Sequence, residues 1–189
     1  MPIYRRWTAL AVALVAPFAV AAGRSPGKPT IAVVPVTLNN LSPLPDTRAD
    51  SDATVQLGHE ARARLGYCGY PVAADTTMPP AAVGHAPSYL FEHPDVAAEW
   101  GAAQHADWVL VSRLNRINQW NAAWEVLVIS THDQRGADTH VIELKGVGRD
   151  AGLSTPMATR SAAWLIDQSL QSVAHASGDT SNAGRPCHA

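Results

Sequence analysis

The chain has 189 residues, with 14 Lys and Arg against 16 Asp and Glu, for a formal net charge of −2 at pH 7. This length favours one domain. The near-balanced charge, with no Lys/Arg cluster, excludes a general attraction to nucleic acid.

The first residues read as a secretory signal. Arg5 and Arg6 form a positive start, Trp7 to Val20 is apolar, and Ala19-Val20-Ala21 offers small residues for cleavage. The apolar run of about 14 residues is shorter than the roughly 20 that span a bilayer. Residues 1–21 are therefore expected to be a cleaved signal peptide, leaving a periplasmic protein with no transmembrane segment. Cleavage removes two basic side chains and no acidic one, which lowers the net charge from −2 to −4.

Residues 22–29 follow as a Pro/Gly/Ser linker, and 30–175 as the folded domain. "TIAVVPVTL", from Thr30 to Leu38, has the continuous apolar character of a buried strand. Pro35 lacks a backbone donor and pushes that strand toward a sheet edge or a bulge. After the turn-rich "NNLSPLPDTRAD", Asp50 or Ser51 is placed to cap a helix from about Asp52 to Leu65. Its apolar stripe is Ala53, Leu57, Ala61 and Leu65, and Gly66 is read as its stop.

A short strand is expected around Tyr70 to Ala73, then an irregular loop from Thr76 to Tyr89. His93-Pro94 opens a second helix with Val96, Trp100 and Ala103 inward. Asp107 to Asn118, Trp124 to Thr131 and Thr139 to Val147 alternate as three strands of an antiparallel meander, with "QWNAA" and "HDQRGAD" as connections. Thr155 and Pro156 start the last helix. Its inward face is Ala158, Ala162, Leu165, Ile166, Ser169, Leu170 and Val173. Residues 176–189 lack the apolar content to order themselves and are expected to be a disordered tail. The sum is a single-domain α/β sandwich of helices on a mixed sheet, in the order strand, helix, strand, helix, three strands, helix.

"HADWVLVSRLNRIN", the hairpin after it, "ELKGVGRD" before the last helix and "PDTRADSDATVQLGHEARARL" resemble an exported bacterial family, domain-of-unknown-function family 2380. The likeness runs in order over about Thr30 to Gln171. The chain departs from it in having Arg149-Asp150-Ala151 after Gly148, and in lacking paired cysteines before the second helix. The resemblance implies a small periplasmic α/β module, similar to the TolB amino-terminal domain, and carries no activity with it.

The motifs for chemistry are incomplete. "GHEARAR" begins like a zinc-protease helix, but Ala63 stands where the second histidine belongs. His132, Asp133 and His140 flank one turn, while His85 and His93 lie in or beside a loop. There is no Gly-x-Ser-x-Gly elbow. The Gly146 to Gly152 stretch has the wrong last gap and the wrong context for a dinucleotide fingerprint, so no cofactor is expected. Cys68 and Cys187, in an oxidising compartment, are either one disulfide tying the tail to the body or two independent thiols.

The most concentrated polar-aromatic group is Arg113, Asn115 and Arg116 with Trp120. It is a candidate surface patch for an unknown envelope protein partner, since Trp and Arg dominate hot spots. Its plainer reading is a set of hairpin ends. Taken together, these features point to a non-enzymatic accessory or binding module. The alternative is a histidine-dependent metal-binding or hydrolytic protein.

Overall fold

Alternation in the sequence becomes two separate cores, one on each face of a five-stranded sheet, in a computed structural model that describes residues 27–145, 151–176 and 187. The strands are β1 (Ile31–Val33), β2 (Thr37–Asn40), β3 (Trp108–Arg116), β4 (Asn121–Ser130) and β5 (Gly136–Lys145). The helices are α1 (Arg48–Tyr67), α2 (Tyr89–Glu92), α3 (Pro94–Ala103) and α4 (Ala151–Ala176). β1 and β2 both pair parallel with β3, and β3, β4 and β5 form the antiparallel meander. The α/β class and mixed sheet are as expected. The expected signal peptide, Val147 and most of the C-terminal tail lie outside the described residues.

The expected first strand is broken into β1 and β2. Val33 pairs with Leu110 and Thr37 with Arg113, so four steps on one strand oppose three on the other. That is a β-bulge, centred where Pro35 has no N–H to give the ladder. The expected strand at Tyr70–Ala73 is only a single bridge from Val72 to Ile31. The segment is held there by the Ile31 N–H donating to the Pro71 carbonyl and the Ala73 N–H to the Ile31 carbonyl, each at 2.9 Å, and by the Arg62 guanidinium, which donates to the carbonyls of Val33, Ala73 and Asp75.

α1 begins before Asp52. Thr47 is its N-cap and forms a capping box with Asp50, so Asp50 is the third helical residue and not the cap. Its stop is not Gly66, which is helical. The chain turns out at Gly69, whose φ of +82° is costly for residues with a Cβ. The stripe of Ala53, Leu57, Ala61 and Leu65 is buried as read.

Of the expected inward face of α3, Val96 and Trp100 pack half-buried against the core and Ala103 is exposed, while the fully buried residues are the small Ala97, Ala98 and Gly101. The reason is close approach: a Cβ on Gly101 would lie 2.1 Å from the Val109 Cγ2 on β3. α4 starts at Ala151, so Pro156 lies within it and Thr155 does not cap it. Its buried face is Ala158, Thr159, Ala162, Ala163, Ile166, Asp167, Ser169 and Leu170, with Leu165 at the margin.

One core lies between the sheet and α1 with α4, around Trp124, Leu110, Leu114 and Ile166. The other lies between the sheet and α2 with α3, around Val109, Val111, Leu127 and Ile129. The β3–β4 hairpin is tighter than expected. Asn121, Ala122 and Ala123 belong to β4, opposite Ala122↔Arg116 and Ala123↔Asn115, so the connection is 117–120.

Candidate functional site

Strand pleating decides which candidate residues meet. On β3, Arg113 and Asn115 point to the α2–α3 face, whereas Arg116 is one residue out of phase and points to the α1 face. The four patch candidates are therefore not one surface. Arg113 and Asn115 come together, Arg116 is buried at 4% exposure, and Trp120 sits at the hairpin tip at 66% exposure.

Arg113 and Asn115 belong to a polar ladder across three strands. Arg113 Nε donates to Glu125 Oε2 at 2.8 Å, and Asn115 Nδ2 donates to the same oxygen at 3.0 Å. Asn39 Nδ2 donates to Asn115 Oδ1 at 2.7 Å. The Arg113 guanidinium also stacks 4.4 Å from the centre of the Phe91 ring on α2. Glu125 was legible in principle, because antiparallel pairing puts it opposite Arg113. Asn39 and Phe91 were not, since they arrive through the parallel crossover. Val141, opposite Glu125 on β5, is 64% exposed, so this half of the sheet is open at its margin.

Beside the ladder, the bulge opens a cavity of about 250 Å³ between Pro35, Thr37, Pro87, Tyr89 and Val111. His85 lines it and stacks on Tyr89 at 4.1 Å between ring centres, and His93 meets the same ring at 4.5 Å. Ser112, opposite the bulge, has a buried Oγ with no hydrogen-bond partner among the described residues.

Arg116 faces Asp50 on α1, and each side chain is 5% exposed. The guanidinium also donates to Asn40 Oδ1 at 3.1 Å and to the carbonyls of Leu44 and Pro45 at 2.7 and 3.0 Å. A second buried carboxylate, Asp167 on α4, accepts from Lys28 Nζ at 2.9 Å, the Tyr70 hydroxyl at 2.5 Å and the Cys187 N–H at 3.1 Å. Burial pushes the Asp167 carboxyl up, but those donors outweigh it and hold it below the usual carboxylate range. Burial, then the bond to Asp167, pushes the Tyr70 phenol well above its usual range. Cys68 and Cys187 are joined as a disulfide, with Cα atoms 5.1 Å apart. At Cys187 the expected free tail is buried.

His132 and Asp133 are exposed, and His140 turns from them to α4. His140 Nε2 meets Ser169 Oγ at 2.9 Å, and Ser169 donates to Asp138 Oδ2 at 2.8 Å. Ser, His and Asp are present, but Asp138 approaches the same ring nitrogen, at 3.6 Å, instead of the opposite one. A carboxylate there does not orient the imidazole as a base for the hydroxyl. Among the described residues, no group of three or more His, Cys, Asp or Glu is placed to hold a metal ion. No helix there is long and apolar enough to cross a membrane.

No family model matches the chain, and no curated protein does. Solved structures do. The hypothetical protein CT253 from Chlamydia trachomatis has a TM-score of 0.51 at 12% identity, over 77% of this chain and 99% of that one. TolB from Acinetobacter baumannii scores 0.47 at 16% identity, over 77% of this chain and 29% of that one, so the chain spans less than a third of TolB. The LpoB C-terminal domain from Salmonella enterica scores 0.39 at 13% identity, over 63% of this chain and 84% of that one. What this chain shares with CT253 is the fold.

Proposed function

We propose that the chain is a non-enzymatic accessory or binding module of the bacterial envelope, exported to the periplasm through its N-terminal signal, and that it binds a protein partner on the open half of its sheet. The observation that carries this reading is the Arg113–Glu125–Asn115–Asn39 ladder. Its polar groups are fixed in advance by one another and framed by Phe91 and the cavity at Pro35. Preorganised polar groups beside an apolar hollow suit recognition. The kinship to family 2380 belongs to this reading and rests on the motifs between Thr30 and Gln171.

Two measurements test it. Cell fractionation should recover the protein in the periplasm with Ala22 at its N-terminus. Affinity capture from periplasmic extract should retain a discrete protein that is lost with Arg113→Glu, while circular dichroism of the variant is unchanged. Capture indifferent to Arg113→Glu, or no specific capture under several growth conditions, would overturn the reading. Elemental analysis of untagged protein should find less than about a tenth of an equivalent of metal, given how tightly protein zinc is held. A stoichiometric metal would favour the histidine-dependent alternative.

A further inference from the structure

The two loops at the Arg116 end of β3 expose large apolar side chains. Leu41 is 62% exposed, Leu44 45%, Ile117 50% and Trp120 66%. They are neighbours because β2 and β3 end together: the Leu41 N–H donates to the Arg116 carbonyl at 2.9 Å, and Ile117 follows Arg116. Neither loop is loose. Arg116 and Asn40 both bond the Leu44 carbonyl at 2.7 Å, and Asn40 also bonds Asp46 at 2.7 Å. On the hairpin, Asn118 Oδ1 accepts from the N–H groups of Trp120 and Asn121 at 2.8 and 2.9 Å. The display of these apolar groups to water is therefore built in, and large apolar side chains gathered in the open at one end of a fold mark an interaction site.

The described termini leave from the other end of β3. Lys28 and Cys187 both bond Asp167, and the Thr30 N–H bonds Asp107, next to the start of β3.

The rim of the patch carries both signs. Asp46, Arg48 and Asp52 are exposed, with Arg48 and Asp52 3.8 Å apart. A two-fold contact places each residue i opposite j and j opposite i, so a patch rimmed by both signs is complementary to itself. It lacks the cationic surplus that draws a protein to anionic lipid.

We infer that this end of the molecule is a self-association surface, through which two copies meet tip to tip about Trp120 and Leu44 with Arg48 of each facing Asp46 and Asp52 of the other. The patch is small against the ~800 Å² per partner of a standard interface, so the dimer is weak and transient. It lies at the same end of the sheet as the Arg113 ladder, but it is tested through Trp120, Arg48 and Asp52, none of which belongs to that ladder, so the failure of one proposal is distinguishable from the failure of the other.

Sedimentation velocity of the purified chain over a concentration series tests it. The expected result is reversible dimerisation weakened about 30-fold by Trp120→Ala, the loss typical of a hot-spot residue. Arg48→Glu and Asp52→Lys should each weaken it alone, and an equimolar mixture of the two should recover association through complementary rims. All three sites are exposed, and circular dichroism should confirm an unchanged fold. A monomer at every concentration overturns the inference, as does a dimer indifferent to these changes. Trp120-dependent co-sedimentation of a monomer with phosphatidylglycerol vesicles also overturns it and would make the patch a lipid contact.

Discussion

Arg116 on β3 and Asp50 on α1 form an ion pair closed to solvent, and the same two side chains organise three structures at once. Asp50 accepts from the Thr47 N–H at 2.8 Å and so completes the cap of α1. Arg116 holds the carbonyls of the loop before that cap. Removing one partner strands a buried charge, which typically costs about 3–5 kcal/mol. Asp50→Ala should lower stability by about that amount in urea unfolding. The double variant Asp50→Leu/Arg116→Met should be markedly more stable than the sum of the single losses, because no charge is left unpaired.

Two tryptophans near one hairpin should behave oppositely. Trp120 is solvent-exposed, and Trp120→Ala should leave the unfolding free energy within about 0.5 kcal/mol. Trp124, on β4, is fully buried against α1 and α4, and Trp124→Ala should cost about 3–5 kcal/mol. A large loss at Trp120 would mean that the hairpin tip packs against the body.

On α4 the contrast lies between adjacent residues. Ile166 is 1% exposed, and its truncation to Ala should cost about 2–5 kcal/mol. Leu165 lies at the margin, and Leu165→Ala should cost clearly less in the same guanidinium titration. Equal losses would place the inward stripe one residue earlier.

The disulfide spans a sequence separation of 119 residues. In the chain-entropy account, a closure of that length removes denatured-state freedom worth about 4–5 kcal/mol. The Cys68→Ser/Cys187→Ser protein should be less stable by about that much. Reductant should lower the melting temperature of the wild type and leave the variant unchanged.

Asp167 makes stability depend on acid. Its carboxyl is held below its unfolded value, so its contribution is present above about pH 4, the ordinary aspartate range. That contribution is lost as the pH falls toward the lower folded value. Tyr70 has the opposite sign. Its phenol is raised in the fold, so its contribution is complete below the ordinary tyrosine range, about pH 10, and declines as the pH climbs above it. Asp167→Asn should flatten the acid limb of a stability–pH profile, and Tyr70→Phe the alkaline limb.

Local patterns were enough for the parts of this protein that obey local physics. The three apolar runs of β3, β4 and β5, joined by short polar connections, pointed to an antiparallel meander. The four-residue spacing of Ala53, Leu57, Ala61 and Leu65 required the inward stripe of α1. Pro35 marked where the first strand must yield.

Tertiary structure decided the rest. Gly101 is inward because Val109 comes too close for any side chain, a distance no spacing on α3 encodes. Thr47 outcompetes Asp50 and Ser51 as the cap because Arg116, 66 residues away, holds Asp50 within the helix. Arg113 and Arg116 look like one basic group in the sequence, yet strand pleating sends them to opposite faces: one into a ladder with Glu125 and Asn115, the other into the base of the exposed tip. Side-chain direction along a strand is local, but what waits on each face is not. The role of each arginine was therefore set only when the helices closed over the sheet.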